Sequence, residues 1–211
     1  MKITASNLNR FTGLSLIVAG ILYAIIQPLH PEEIISSVTT SLWAIVHIMS
    51  VAMACLGLIG FTGIYIRQME KLGLLGLVGF LMLSIWMFLV MVFTFAEAFI
   101  MPILAPDVPK FVVGFINMFG EGGSEVSLGA LAIFVPVGGV TYLLGALLFS
   151  IAIFRAGTLP RLAVILFALG AVSAIPAGLI SHELARYTAV LVGLAMAWFG
   201  YAHWSELREK D

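Results

Sequence analysis

The residues of this chain that could do chemistry fall near the same ends of long apolar runs. Three of the four histidines and seven of the eleven acids share that position. Glu97 lies inside such a run, where a carboxylate costs roughly 2.5–3.5 kcal/mol to insert and normally faces a partner in a bundle interior. His47 stands about one and a half helical turns into its own run, at a matching depth. A carboxylate beside an imidazole raises its basicity and fixes its tautomer, for proton transfer or for metal binding. Glu97 and His47 are therefore the candidate catalytic pair. With His30 and His182 they make three imidazoles and a carboxylate, a sensible zinc set in which a retained water would serve hydrolysis or group transfer. Glu121, in the flexible string Gly120-Glu121-Gly122-Gly123, joins Glu125 and Glu183 as candidate ligand-binding acids.

Blander accounts fit several neighbours. Glu32, Glu33 and Glu125 suit helix starts, where acids favour the first turn. Trp43 reads as an interfacial anchor, and His203 with Trp204 as a snorkelling pair at the opposite end. The single cysteine, Cys55, excludes an internal disulfide and reads as a buried, inert thiol. The sequence contains no H-E-x-x-H, P-loop, dinucleotide-binding glycine pattern, nucleophile elbow or C-x-x-C-H string.

The elements that must hold these residues follow from charge spacing. Only 10% of the 211 residues are charged and 62% are hydrophobic, with a mean hydropathy of +1.14. An average soluble domain is about 25% charged, so the chain needs lipid as its solvent. A net charge of −1 argues against nucleic acid, which rewards clustered Lys and Arg. Uncharged stretches cover 11–31, 34–66, 72–96, 126–154, 162–182 and 187–205. Each reaches or approaches the roughly 20 residues that cross a bilayer, and lipid-exposed backbone must be helical. The expectation is a single all-α transmembrane domain, 1–211, with six helices near 11–29, 41–66, 72–101, 127–154, 161–180 and 184–205. The ten-residue stretch 111–120 is too short to span and predicts an interfacial or re-entrant helix within the 102–128 loop.

The first run resembles a signal peptide in its basic start but lacks a small-x-small cleavage site, so it counts as a span. Placing the N-terminus inside puts 8 of the 10 basic residues on the cytoplasmic side. That split predicts two cytoplasmic termini and an outward-facing 102–128 loop. Stripes of Gly and Ala, such as Gly57, Gly60 and Gly63, predict close helix packing.

The run Trp43-x3-His47, Leu56-Gly57 to Arg67, and Glu97-Ala98-Phe99 before Pro102 forms one loose pattern. Leu144-Gly145 to Arg155-Ala156-Gly157-Thr158-Leu159-Pro160-Arg161 forms another. Together they resemble uncharacterised six-helix bacterial membrane proteins, a resemblance that implies a multi-pass inner-membrane protein and no particular activity. Four readings follow. One is an outward pocket for a metal ion or small polar ligand, extending to a lipid-directed hydrolase or transferase. The second is a structural, regulatory or immunity protein. The third is the membrane substrate-binding subunit of an uptake system, with partner subunits, and the fourth a b-type haem protein with two of His30, His47 and His182 as axial ligands.

Overall fold

The computed structural model describes residues 4–118, 123–178 and 180–205; the side chains of 177, 178 and 182–185 lie outside that description. Among the described residues every regular element is helical. Helix α1 spans Ala5–Leu29 and opens on Thr4, whose hydroxyl accepts from the Asn7 amide at 3.2 Å. A short α2 (Ile35–Val38) leads to α3 (Ser41–Phe95). A π-helical turn (Ala96–Ile100) follows, then α4 (Met101–Leu104) and α5 (Pro109–Ile116). A 3₁₀ turn (Gly129–Ile133) precedes α6 (Phe134–Ala156), and α7 (Arg161–Gly178) and α8 (His182–Ser205) complete the fold. Among the described residues three helices, Ala5–Leu29, Ser41–Leu104 and Gly129–Ala156, are long and apolar enough to cross a membrane.

The 55 residues of α3 do not form one rod. Gly73 has φ 58° and ψ −159°, a backbone state essentially closed to residues with a Cβ. The helix folds back there into two arms, 41–72 and 74–95. Tyr65 stacks on Phe80 at 4.6 Å, Gly57 faces Met87, and Trp43 reaches Glu97, so the paired positions straddle Gly73 almost symmetrically. The arms are antiparallel. The expected Arg67–Lys71 loop is instead helical, and the reversal falls at Gly73, whose backbone conformation a residue with a Cβ rarely adopts.

The helices close into a ring. The first arm of α3 packs on α1, α1 on α8, α8 on α7, α7 on α6, and α6 on the second arm of α3. Every contact with a readable register is antiparallel: Gly60 meets Leu16 and Gly63 meets Thr12, while Gly13 meets Gly200 and Gly20 meets Ala197. Phe61, Phe149, Phe167 and Phe199 come from four different helices and fill the centre, each at most 1% exposed. Their rings lie 5.4–5.9 Å apart along the chain of contacts from Phe149 to Phe199. The outside of the ring is apolar as well. On α1, Leu8, Phe11, Leu14, Val18, Ile21 and Ile25 form a helical stripe, each at least 38% exposed. Hydrocarbon is the solvent such a face suits.

Cys55 belongs to this outer surface: it is exposed rather than buried. In a lipid-facing helix an apolar neighbourhood does not imply a place in the core. Polar side chains within the helices are largely satisfied locally. Ser15, Ser50, Thr62, Ser84, Thr94 and Thr141 each donate to the carbonyl four residues back, at 2.7–3.0 Å.

Candidate functional site

The site forms where the free ends of the two α3 arms meet. Thr40 starts α3, its hydroxyl accepting from the Trp43 amide at 3.2 Å, and thereby places Trp43 and His47 one turn apart. Opposite them lies the π-helical turn carrying Glu97. The Met101 amide donates to the Ala96 carbonyl, five residues back, where an α-helical bond would have gone to Glu97. The next position that could reach the Glu97 carbonyl in this wider turn is Pro102, which has no N–H. The helix thus leaves that carbonyl open, and the Trp43 indole N–H donates to it at 2.8 Å. Trp43 is completely buried. It is a bolt between the two arms rather than the interfacial anchor expected of it.

His47 is 1% exposed and Glu97 9%. The His47 Nδ1–H donates to the Trp43 carbonyl at 2.7 Å. A carbonyl only accepts, so the proton sits on Nδ1 and the Nε2 lone pair faces away from it. Glu97 Oε2 lies 3.3 Å from Nε2, outside hydrogen-bond alignment. Attraction between these two atoms requires one proton, carried by the carboxylic acid or by the imidazolium. With one proton the pair could complete a bond after a small rotation.

His30 completes the cluster. Its ring meets His47 edge-on at 5.1 Å between centroids, and Trp43 lies 4.3 Å from His47. Arg186 Nη1 stands 3.0 Å from His30 Nδ1, and the Pro31 carbonyl 2.9 Å from the same nitrogen. These are alternatives: Nδ1 accepts from Arg186 or, when protonated, donates to Pro31. Two cavities adjoin here. One, of about 390 Å³, is lined by His30, Glu33, Thr94 and Glu97 at its polar end and by Trp86, Phe93 and Tyr142 among apolar residues elsewhere. The other, of about 230 Å³, holds Gln27, Ser50 and Arg186 and shares His30, Trp86, Val90 and Thr94 with the first. A larger groove of about 490 Å³ lies at the far end of the bundle, between 66–71 and Gly157–Thr158. It is away from these side chains.

The structure thus brings together His30, His47 and Glu97. Glu125 is elsewhere, paired at the surface with Lys110 at 3.1 Å, both side chains more than 70% exposed. Glu121 and the side chains of His182 and Glu183 fall outside the described residues. Among the described residues no three His, Cys, Asp or Glu side chains gather as a metal set. The guanidinium of Arg186 against His30 is also a poor neighbour for a divalent cation. Haem ligation by His30 and His47 finds no support either, because rings in edge-to-face contact leave no slab for a macrocycle between them.

Sequence reasoning missed Trp43 as a positioning residue and Arg186 altogether. Their signals were present: Trp43 sits at i−4 from His47, and Arg186 is one of only two basic residues on the sparse side of the charge split. No family model, curated protein or solved structure matches this chain. Its own geometry has to carry the functional argument.

Proposed function

We propose that the chain is a six-span membrane protein of the bacterial inner membrane, with both termini cytoplasmic, whose outer end holds a pocket for a small ligand headed by Glu97 and His47. Six antiparallel arms arranged in a ring suit chain segments that alternate in direction, and the 8:2 division of basic residues orients them. Helix α5 then lies on the outer side. It is docked rather than loose: Phe115 stacks on Phe93 at 4.4 Å, and buried Val112 and Ile116 share the apolar cluster around Trp43.

The single observation that carries the ligand reading is the buried Glu97–His47 approach at 3.3 Å beside a cavity of about 390 Å³. A polar pair that merely sealed the bundle would gain from being packed shut. Here Glu97 borders open volume, and Thr94 and Glu33 line the same space. A bound molecule supplying hydrogen-bond donors fits it better than a metal ion, for which the described residues offer no ligand set.

Native mass spectrometry of the purified protein tests this reading. An adduct present on the wild type and lost in Glu97→Gln supports it, with chelator making no difference. An identical adduct spectrum in both proteins leaves a structural role for the pair, and a chelator-sensitive adduct restores the metal. Topology is tested separately with single cysteines at Ser37, Ser124 and Met69 in a Cys55→Ser background. An impermeant thiol reagent should label the first two in intact cells; labelling at Met69 alone inverts the arrangement.

A further inference from the structure

Resting on that pocket, we infer that its occupant is a membrane lipid with a zwitterionic head, a primary ammonium and a phosphodiester, entering sideways between α6 and the second arm of α3. These two helices meet unevenly along their length. Near Gly145 they touch backbone to backbone: a Cβ there would stand 2.8 Å from the Leu83 amide nitrogen. Two turns earlier on α6 they have parted. A Cβ at Gly138 or Gly139 would meet nothing within 4 Å, and Gly139 is exposed. The cavity is the wedge left by this splay, with the Trp86–Tyr142 contact at 4.5 Å at its narrow end. Its mouth lies on the apolar flank of the bundle.

The interior is graded. Leu89, Val90, Phe93, Val135 and Tyr142 form apolar walls, while His30, Glu33 and Glu97 stand at the polar end. A free polar solute has no use for such walls, whereas acyl chains fill them at no cost in polar desolvation. The head chemistry follows from the charges. Glu97 and Glu33 suit an ammonium with N–H donors. Across the shared His30, Arg186 offers a buried Nε–H that has no hydrogen-bond acceptor among the described residues. A phosphodiester supplies that acceptor. A trimethylammonium head has no N–H to donate to the acids, and a glycerol head has no cation. The primary-ammonium zwitterion satisfies both ends.

The test presents the detergent-purified protein with an equimolar mixture of three dioleoyl lipids, bearing ethanolamine, choline or glycerol phosphodiester heads, and reads retention by native mass spectrometry. One charge-assisted hydrogen bond is worth about tenfold or more, so the ethanolamine lipid should be retained about tenfold over each of the others. Glu97→Gln should abolish that preference, and Arg186→Gln should weaken retention of all three lipids alike. Gly139→Leu places a side chain in the open mouth without a clash and should block retention while leaving the melting temperature unchanged. Free phosphoethanolamine, the head without tails, is assayed in parallel by thermal shift. Stabilisation by the free head equal to that by the lipid would overturn the lipid inference and leave the small-ligand pocket standing. Equal retention of the three lipids, or a preference indifferent to Glu97→Gln, would likewise overturn it. If neither lipid nor free head responds to Glu97→Gln, and no native adduct does, both readings fall.

Discussion

Two buried histidines, at opposite ends of the bundle, have the same side chain and opposite circumstances. His203 is completely buried where α8 meets α1. Its Nε2 lies 3.3 Å from the Thr12 hydroxyl, which spends its own proton on the Asn9 carbonyl at 2.9 Å. Nε2 must therefore be the donor, and Nδ1 is left as an acceptor with no partner among the described residues. His47 takes the other tautomer, with Nδ1 protonated and its Nε2 lone pair facing an acid. The surroundings differ as well. Around His203, Gly63 receives Thr12, Gly13 receives Trp204, and Arg67 donates to the His203 carbonyl at 3.1 Å. At the His47 end the partner acid, Glu97, lines open volume. Burial of a polar group alone does not mark a site; burial beside unfilled space does.

The largest expected effect comes from the bolt at the Glu97 end. Trp43→Ala should destabilise the protein in detergent by about 3–5 kcal/mol, through the cavity it leaves. Trp43→Phe should cost about 1–3 kcal/mol, because it chiefly orphans the Glu97 carbonyl. Equal losses for the two would show that the indole N–H contributes nothing.

Double-mutant cycles compare the two ends directly. His47→Ala with Glu97→Gln should show a coupling of about 0.5–3 kcal/mol, as expected for partners in contact. Thr12→Val with His203→Ala should couple less, by about 0.5–1 kcal/mol, because a single neutral hydrogen bond joins the two side chains. Reversal of that order in thermal melts would remove the distinction drawn between the two histidines.

Glycine substitutions probe the same contrast through the backbone. Gly73→Ala should cost about 1–3 kcal/mol, since its φ and ψ suit only glycine. Gly139→Ala should be within about 0.5 kcal/mol of wild type, because the added methyl enters open space and the backbone is already helical. Chemical or thermal unfolding of the two variants side by side decides this.

A small stability effect with a large expected change in binding belongs to Pro102→Ala. The restored N–H would let the π-helical turn relax to α geometry, shifting global stability by no more than about 1 kcal/mol. Glu97 would rotate away from His47, so the adduct lost in Glu97→Gln should be lost here too. Retention of that adduct would mean that the wide turn does not position the carboxylate.

The pairing of Glu97 with His47 was legible because both stand at one depth on helices joined by a short turn, and such helices must be antiparallel neighbours. A helix of eight residues, Pro109–Ile116, lies within 102–128 and opens on the third of three prolines; its place in an outer loop belongs to the proposed topology. The turn itself was misplaced by a few residues. Charges at 67–71 look like a loop, yet they continue a helix whose reversal depends on one backbone state at Gly73. The zinc expectation rested on histidines sharing an end of the bundle. Nearness in depth says nothing about whether lone pairs converge, and Arg186, too distant in sequence to be associated with His30, takes part of that coordination space.

Composition and charge spacing alone required apolar helices, their approximate ends and the polar residues gathered at one level. Those features depend on hydropathy summed over about 20 residues, which the chain carries in its own order. Which face of each helix looks inward was not available in the same way. In water an apolar stripe marks the core, but in lipid the core and the solvent are both hydrocarbon, so Cys55 faces out and Trp43 faces in with no difference in hydropathy to announce it. Close packing between backbones made that choice, at positions where small residues let helices touch and at Gly138 and Gly139 where they part. The cavity beside Glu97 exists only because those choices were made together.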